Sequence, residues 1–223
     1  MVLKDKRLMV CAEMVEGDHV CDVGTDHGYL PAYLLSSDRC SHAVCADINP
    51  MPLDSARATL ARAGVSQNAL FCLSDGLRDV PLDGVTDIVI AGMGGELIYK
   101  ILSEDERVKT CGANFILQPM TRAAELRRSL GSGGFETVCE RGAVDGRFAY
   151  CIIKCRYTGK IEKPDPVREN IGCLDPAVPE DRLYILRQLD RMCAAAEGMA
   201  KSSPEKAAQI METVEMIRKE TRL

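Results

Sequence analysis

The chain has 223 residues, enough for one full-sized domain plus an appendage, with 46% hydrophobic residues, 28 Lys and Arg against 33 Asp and Glu, and a net charge of −5 at pH 7. No apolar run reaches the roughly 18 residues that cross a bilayer, and the mixed-charge start Met-Val-Leu-Lys-Asp-Lys-Arg is not a secretory signal, so a cytoplasmic protein without membrane contact is expected. The eleven cysteines include no Cys-x-x-Cys pair and no Cys/His ligand spacing, which argues for free thiols and against a disulfide framework or a structural metal.

Along the chain, strand-like runs alternate with helix-like ones. His19–Val23 reads as a first strand, and the helix after it includes 31–36, with Tyr29, Leu30, Tyr33 and Leu34 at helical spacing. Ala43–Asp47 reads as a second strand, then a helix over 50–64 with Pro near its start and Gly64 as its stop. Ala69–Leu73 is a third strand, followed by Ser74-Asp75-Gly76. Asp87–Ile90 is a fourth, ending in Ala91-Gly92-Met93-Gly94-Gly95 before a helix over 96–102. Asn114–Leu117 is a fifth, ending in Gln118-Pro119, with a helix over 121–130 closed by Gly131. The runs 135–141 and 147–157 read as an antiparallel pair around a turn at Val144-Asp145-Gly146.

Strict alternation means an α/β fold with a mostly parallel sheet and helices on both faces, closed by an antiparallel hairpin. Four prolines between 159 and 179 and no periodicity suggest a linker over 160–178, separating a main domain over 1–159 from the rest. Residues 179–223 carry apolar residues at helical spacing, broken at Ser202-Ser203-Pro204, and read as an antiparallel helical hairpin. It is too poor in apolar residues to fold alone, so it packs on the main domain or grips a partner.

Ligands of open α/β sheets bind at the carboxyl ends of the strands, where strand order reverses. Asp22, Gly24, Thr25 and Gly28 form a tight loop there, whose backbone a ligand can approach beside a helix N-terminus. Asp47, at the end of the second strand, has the position to accept both hydroxyls of a ribose. Asp75, with Gly76, suits an adenine amino group, and Leu77 or Ile48 suits the ring face. Each feature alone is weak, since such loops are often plain turns and such acids plain caps. The ordered set, converging on one cleft, favours S-adenosylmethionine over NAD, whose folds prefer Gly-x-Gly-x-x-Gly and need no third acid. Ala91-Gly92-Met93 and Gly94-Gly95 open the fourth wall and offer no carboxamide, which suits a ring-nitrogen acceptor better than an exocyclic amine.

The run 20–30 resembles the first motif of class I S-adenosylmethionine-dependent methyltransferases, with Asp26 in the place of the middle Gly. Three stretches are similar to the TrmK family of bacterial tRNA (adenine-N1)-methyltransferases, which modify adenine 22. They are Asp22 to Pro31, Ala91 to Ile98, and Ile116 to Pro119 with Leu126-Arg127 and Gly134-Phe135. The likeness extends over essentially the whole chain, with Met120 where Asn was half expected.

The resemblance implies a Rossmann-like seven-stranded fold, S-adenosylmethionine as cofactor and tRNA as partner, with no protein partner evident. It suggests Asp26, His27 and Tyr29 as catalytic residues, although Asp26 also reads as a helix cap or a ligand of the cofactor amino group, and His27 as a packed histidine. Ile48, Gly76, Ala91, Gly92 and Met93 join the three acids and the loop as cofactor contacts. Lys4, Arg7, Gly94, Gly95, Gln118, Pro119, Arg122, Arg127, Arg128 and Arg147 are the expected RNA contacts, drawing on an uneven charge distribution. Residues 122–160 hold eight Lys and Arg against four acids. Tyr99, Phe148 and Tyr150 are further aromatic candidates, read as core. Alternatives left open are a methyltransferase acting on a small molecule or another base, and a non-catalytic S-adenosylmethionine-binding RNA-binding protein.

Overall fold

Seven strands form one sheet in the order β3-β2-β1-β4-β5-β7-β6 in the computed structural model, which describes residues 2–223. The strands are β1 (His19–Val23), β2 (His42–Asp47), β3 (Ala69–Leu73), β4 (Asp87–Gly94), β5 (Asn114–Thr121), β6 (Phe135–Asp145) and β7 (Phe148–Tyr157). The first five run parallel, whereas β7 pairs antiparallel with both β5 and β6. The helices are α1 (Lys6–Met14), α2 (Tyr29–Ser36), α3 (Pro50–Arg62), α4 (Gly95–Glu104), α5 (Ala123–Ser132), α6 (Pro166–Ile171), α7 (Pro179–Met199) and α8 (Pro204–Thr221).

The central strands read as unbroken apolar runs because both faces are covered. Ile88, Ile90, Phe115 and Leu117 point into the layer under α4 and α5, where Ile98, Leu102, Leu126 and Leu130 meet them. Val20, Val89 and Ile116 point the other way, onto Cys11, Leu30, Leu34 and Leu60. All eleven cysteines are free, and Cys21, Cys45 and Cys151 are buried, whereas Cys72 is partly exposed.

Several expected boundaries shift for identifiable reasons. β4 and β5 each run four residues past their apolar cores because they keep pairing through bulges around Met93. The helix expected over 121–130 begins only at Ala123, since Arg122 takes a left-handed conformation at its cap, and it runs through Gly131 to Ser132. Helix α1 has no counterpart in the expectation. It is begun by Asp5, whose carboxylate accepts from the N–H groups of Arg7 and Leu8.

The proline-rich 160–178 stretch also holds a helix. α6 starts on Pro166 after the Asp165 cap and buries Val167 and Ile171. These side chains join Ile185, Leu189, Val214 and Ile217 of α7 and α8 and Ala149 and Cys151 of β7 in a third apolar cluster. Two polar clasps fasten the same junction. Asp181 of α7, itself buried, accepts from Gly142 N–H on the sheet-edge strand β6 at 2.5 Å, and Gly142 lies so close that a Cβ there would meet the Glu180 backbone at 2.6 Å. Arg127 of α5 pairs with Glu140 of β6 at 2.6 Å, both side chains almost wholly enclosed, and its second arm donates to the Glu169 and Asn170 carbonyls of α6.

Removing one partner of a buried ion pair strands the other charge. Arg127→Ala should therefore lower unfolding stability by about 3–5 kcal/mol in urea titrations. Arg128→Ala, next door but exposed and paired with Glu169, should cost less than about 1 kcal/mol. Equal losses would show that Arg127 is not bracing the junction.

Candidate functional site

Strand order reverses between β1 and β4, and the turn after β1 opens a cleft of about 240 Å³ between them. Its wall includes Asp22, Thr25, Asp26, His27, Tyr29 and Gly92, together with Arg7 and Leu8 of α1 and Asp5, which caps that helix. The turn is held from below. Gly24 N–H and Thr25 N–H both donate to the Ala46 carbonyl of β2, at 2.8 and 3.0 Å, and Gly28 N–H donates to Thr25 O at 2.8 Å. Gly28 has φ +67°, and a Cβ there would come within 2.8–2.9 Å of Ala56 in α3, so glycine is required both by conformation and by the neighbouring helix.

Asp22 is 5% exposed and accepts from the Thr25 hydroxyl at 2.7 Å. Burial pushes its carboxyl up to about 6; the Thr25 hydrogen bond opposes this, and the nearby charges of Asp47 and Asp26 add to it. Asp26 adopts φ +49° in the place where the related motif has glycine, and its side chain is 72% exposed. Its carboxylate lies 3.7 Å from His27 Nε2, and the His27 ring sits 5.4 Å from that of Tyr29. A non-glycine residue in this region is strained, and Asp is one of the few that tolerate it. The three residues expected to be catalytic therefore stand together at one lip of the cleft.

The opposite wall is Gly92, at φ +80° with no atom within 4 Å of where a Cβ would stand. Gln118 holds that wall in place: its buried side-chain oxygen accepts from Gly92 N–H at 3.1 Å and from Arg7 at 3.4 Å. Arg7 is further tied to Asp5 at 2.6 Å and donates to Met120 Sδ at 3.0 Å, so the methionine in the place of the half-expected Asn has a polar contact after all. Asp5 and Leu8 were not foreseen as site residues, because their placement depends on α1. An acid just before Lys6-Arg7-Leu8 was the available signal.

The remaining candidates separate. Asp47 and Asp75 do not line the enclosed cleft; they follow it along the carboxyl ends of β2 and β3. Asp47 accepts from Asn49 N–H at 2.9 Å, and Asp75 pairs with Arg78 at 3.0 Å. Ile48 is 59% exposed and free to cover a ring, whereas Leu77 is buried in the core and is not, and Gly76 packs on Ile101. Ala91 and Met93 are half-buried beside the wall, and Gly94 leads into Gly95 at the start of α4. Gln118, Pro119, Gly95 and Arg127 are buried, so none of them presents a surface to RNA, and Arg127 is spent on Glu140. Lys4, Arg122, Arg128 and Arg147 are exposed, with Arg122 paired to Glu96. Phe148, expected in the core, is 50% exposed. No group of three or more His, Cys, Asp or Glu placed to hold a metal occurs among the described residues, and no helix there is long and apolar enough to cross a membrane.

The raised Asp22 carboxyl has a consequence for stability. Folding retains its proton up to about pH 6, whereas the unfolded chain releases it near 3.8, so the stabilising contribution is present at low pH and is lost as pH rises through about 6. At neutral pH the buried charge then costs about 3 kcal/mol, at 1.36 kcal/mol for each pH unit between those values. Asp22→Asn should stabilise the ligand-free protein at pH 7.5, and its advantage over wild type should shrink toward pH 5. A constant difference across that range in denaturant titrations would rule out a buried ionised carboxylate.

Residues 4–153 match the model of a family described as a methyltransferase domain. The chain is 30% identical over 176 residues to a putative tRNA methyltransferase of Mycoplasma genitalium, covering 77% of each. It is 34% identical over 126 residues to the tRNA (adenine(22)-N(1))-methyltransferase of Bacillus subtilis, a stretch that takes in 56% of this chain and about half, 53%, of that relative. A putative tRNA (m1A22) methyltransferase of Streptococcus pneumoniae superposes with a TM-score of 0.84 at 26% identity, over 98% of this chain and 99% of that one. Its complex with S-adenosyl-L-methionine superposes at 0.81 and 25% identity, over 97% and 99%.

Proposed function

We propose that this chain, which belongs to the methyltransferase-domain family and to its TrmK members, transfers a methyl group from S-adenosylmethionine to N1 of an adenine in tRNA, adenine 22 by likeness to the Bacillus relative. The observation that carries this reading is the cleft at the strand-order reversal, with a buried carboxylate at its base and a wall stripped of side chains at Gly92.

The residues fit the cofactor. Bound there, S-adenosylmethionine supplies an electrophilic methyl on a sulfonium that departs as a neutral thioether. Asp22 is an ionised carboxylate short of a counterion, which the cofactor's ammonium provides, and Asp47 and Asp75 stand in order for the ribose and the adenine amino group. Gly92 leaves room for two reacting centres to approach in line, and alignment in a dry cleft is most of what this substitution needs. Adenine N1 would take that methyl group on its ring lone pair, and the C–S bond pair would stay with sulfur. The methylated base is then a cation, and Asp26, exposed at the lip, accepts the proton it sheds, with His27 orienting that carboxylate. Tyr29, 45% exposed, offers a face on which the extruded base stacks. Lys4, Arg122 and Arg128 supply phosphate contacts as a patch. Such an enzyme works where tRNA is, in the cytoplasm.

Incubation of the protein with unmodified tRNA and S-adenosylmethionine, followed by nucleoside mass spectrometry, should yield 1-methyladenosine, and Asp47→Ala should need much more cofactor to do so. The absence of any methylated nucleoside from the wild-type reaction would remove this reading. Asp26→Asn keeps a residue that tolerates the left-handed turn. It should reduce kcat roughly a hundredfold or more while cofactor affinity stays close to wild type. Parallel losses of affinity and turnover would make Asp26 a cofactor ligand instead.

A further inference from the structure

We propose that the tip of the β6–β7 hairpin is a stacking platform for the unpaired nucleotide next to the target adenine; this rests on the tRNA reading above. In the pairing of β7 with β5, Leu117–Ile153 is the last pair, so residues 148–150 run on past the paired part of β5 toward the carboxyl ends of the parallel strands, on the ligand side of the sheet. On that overhang the rings of Phe148 and Tyr150 lie 6.3 Å apart, on the same face of the strand. A guanidinium covers each ring: Arg147 lies 5.0 Å from the Phe148 centroid and Arg7 lies 5.2 Å from that of Tyr150.

The row is continuous with the cleft, because the same Arg7 reaches Gln118, which holds the Gly92 wall. It therefore leads from the open turn at Gly146 to the place where the methyl acceptor must lie. An apolar ring half open to water at a hairpin tip contributes little to the core, and alternating cationic and aromatic planes are the chemistry that holds splayed bases. Asp5 pairs with Arg7, and Asp145 lies near enough to act on it, so the row carries little net charge. Its grip comes from ring stacking and not from phosphate pairing, which makes it tolerant of base identity and insensitive to salt. Tyr29, on the other lip, remains the partner of the target base itself.

The chain contains no tryptophan, so Phe148→Trp introduces one indole that can be excited apart from the six tyrosines. Its fluorescence should be quenched when tRNA binds, and Phe148→Ala should raise KM for tRNA roughly tenfold, by the same factor at low and high salt, with a much smaller change in kcat. Unchanged emission while filter binding shows tRNA on both wild type and Phe148→Trp would overturn the platform and leave the proposed activity standing. A loss in Phe148→Ala that vanishes at high salt would also overturn it. Failure of the wild-type protein to bind tRNA at all would instead overturn the tRNA reading, and the platform with it.

Discussion

Two N–H groups on one carbonyl, Gly24 and Thr25 on Ala46, tie the turn after β1 to the last residues of β2, and the site follows from that tie. It sets where β1 ends, one residue after Asp22, and sends the chain outward at Asp26. It also brings the beginning of α2 against α3, where only a hydrogen fits at Gly28. The reversal of strand order then leaves the far side of the turn open toward β4. Strand pairing builds the rigid half of the cleft, and the open half is created by leaving side chains off Gly92.

Charge in this cleft is arranged for a bound state. Asp22 is enclosed, has one hydroxyl donor, and feels two further carboxylates, Asp47 and Asp26. Without a cation it would hold its proton more readily than an ordinary acid does. The strain at Asp26 is of the same kind: a conformation that glycine adopts freely is occupied by the side chain to which the proposed reaction gives the proton. Both features cost the free protein stability, and the proposed ligands would offset that cost on binding.

The fold was legible from sequence where local pattern and tertiary demand agree. β1 and β3 begin and end where their apolar runs do, because acids and turn residues bound them. The turn at Asp22–Gly28 was readable for the same reason, since its spacing is dictated by backbone geometry. Legibility failed where pairing or packing extends an element beyond its own signal. β4 and β5 continue through Gly92 and Pro119 because each supports the other, which no single run of residues announces. Arg127 looked like any basic residue on a helix; its burial depends on Glu140, thirteen positions away on another element. Phe148 looked like core for the opposite reason. An aromatic in an alternating strand normally packs, but this one stands at the hairpin tip half open to water, with the Arg147 guanidinium over its ring. Helix α1 was missed because it covers the sheet with only Cys11, Ala12 and Met14, too short a stripe to show a period.

The clasps at Gly142 and Glu140 bear on how the long helices α7 and α8 behave. A hairpin attached by a supple tether would sweep a volume and adjust to whatever it met. Here Asp181 is bonded to the sheet-edge strand, Arg127 crosses from α5 to β6 and α6, and the apolar cluster between them is shared with β7. The junction between the helical hairpin and the sheet is thus braced, and in the proposed reaction α7 and α8 would stand at a set distance from the cleft, like the jaw of a caliper. For the substrate proposed here, a tRNA must already have the right distance between its surface and its exposed adenine, so selection falls on the RNA's shape before any base is read.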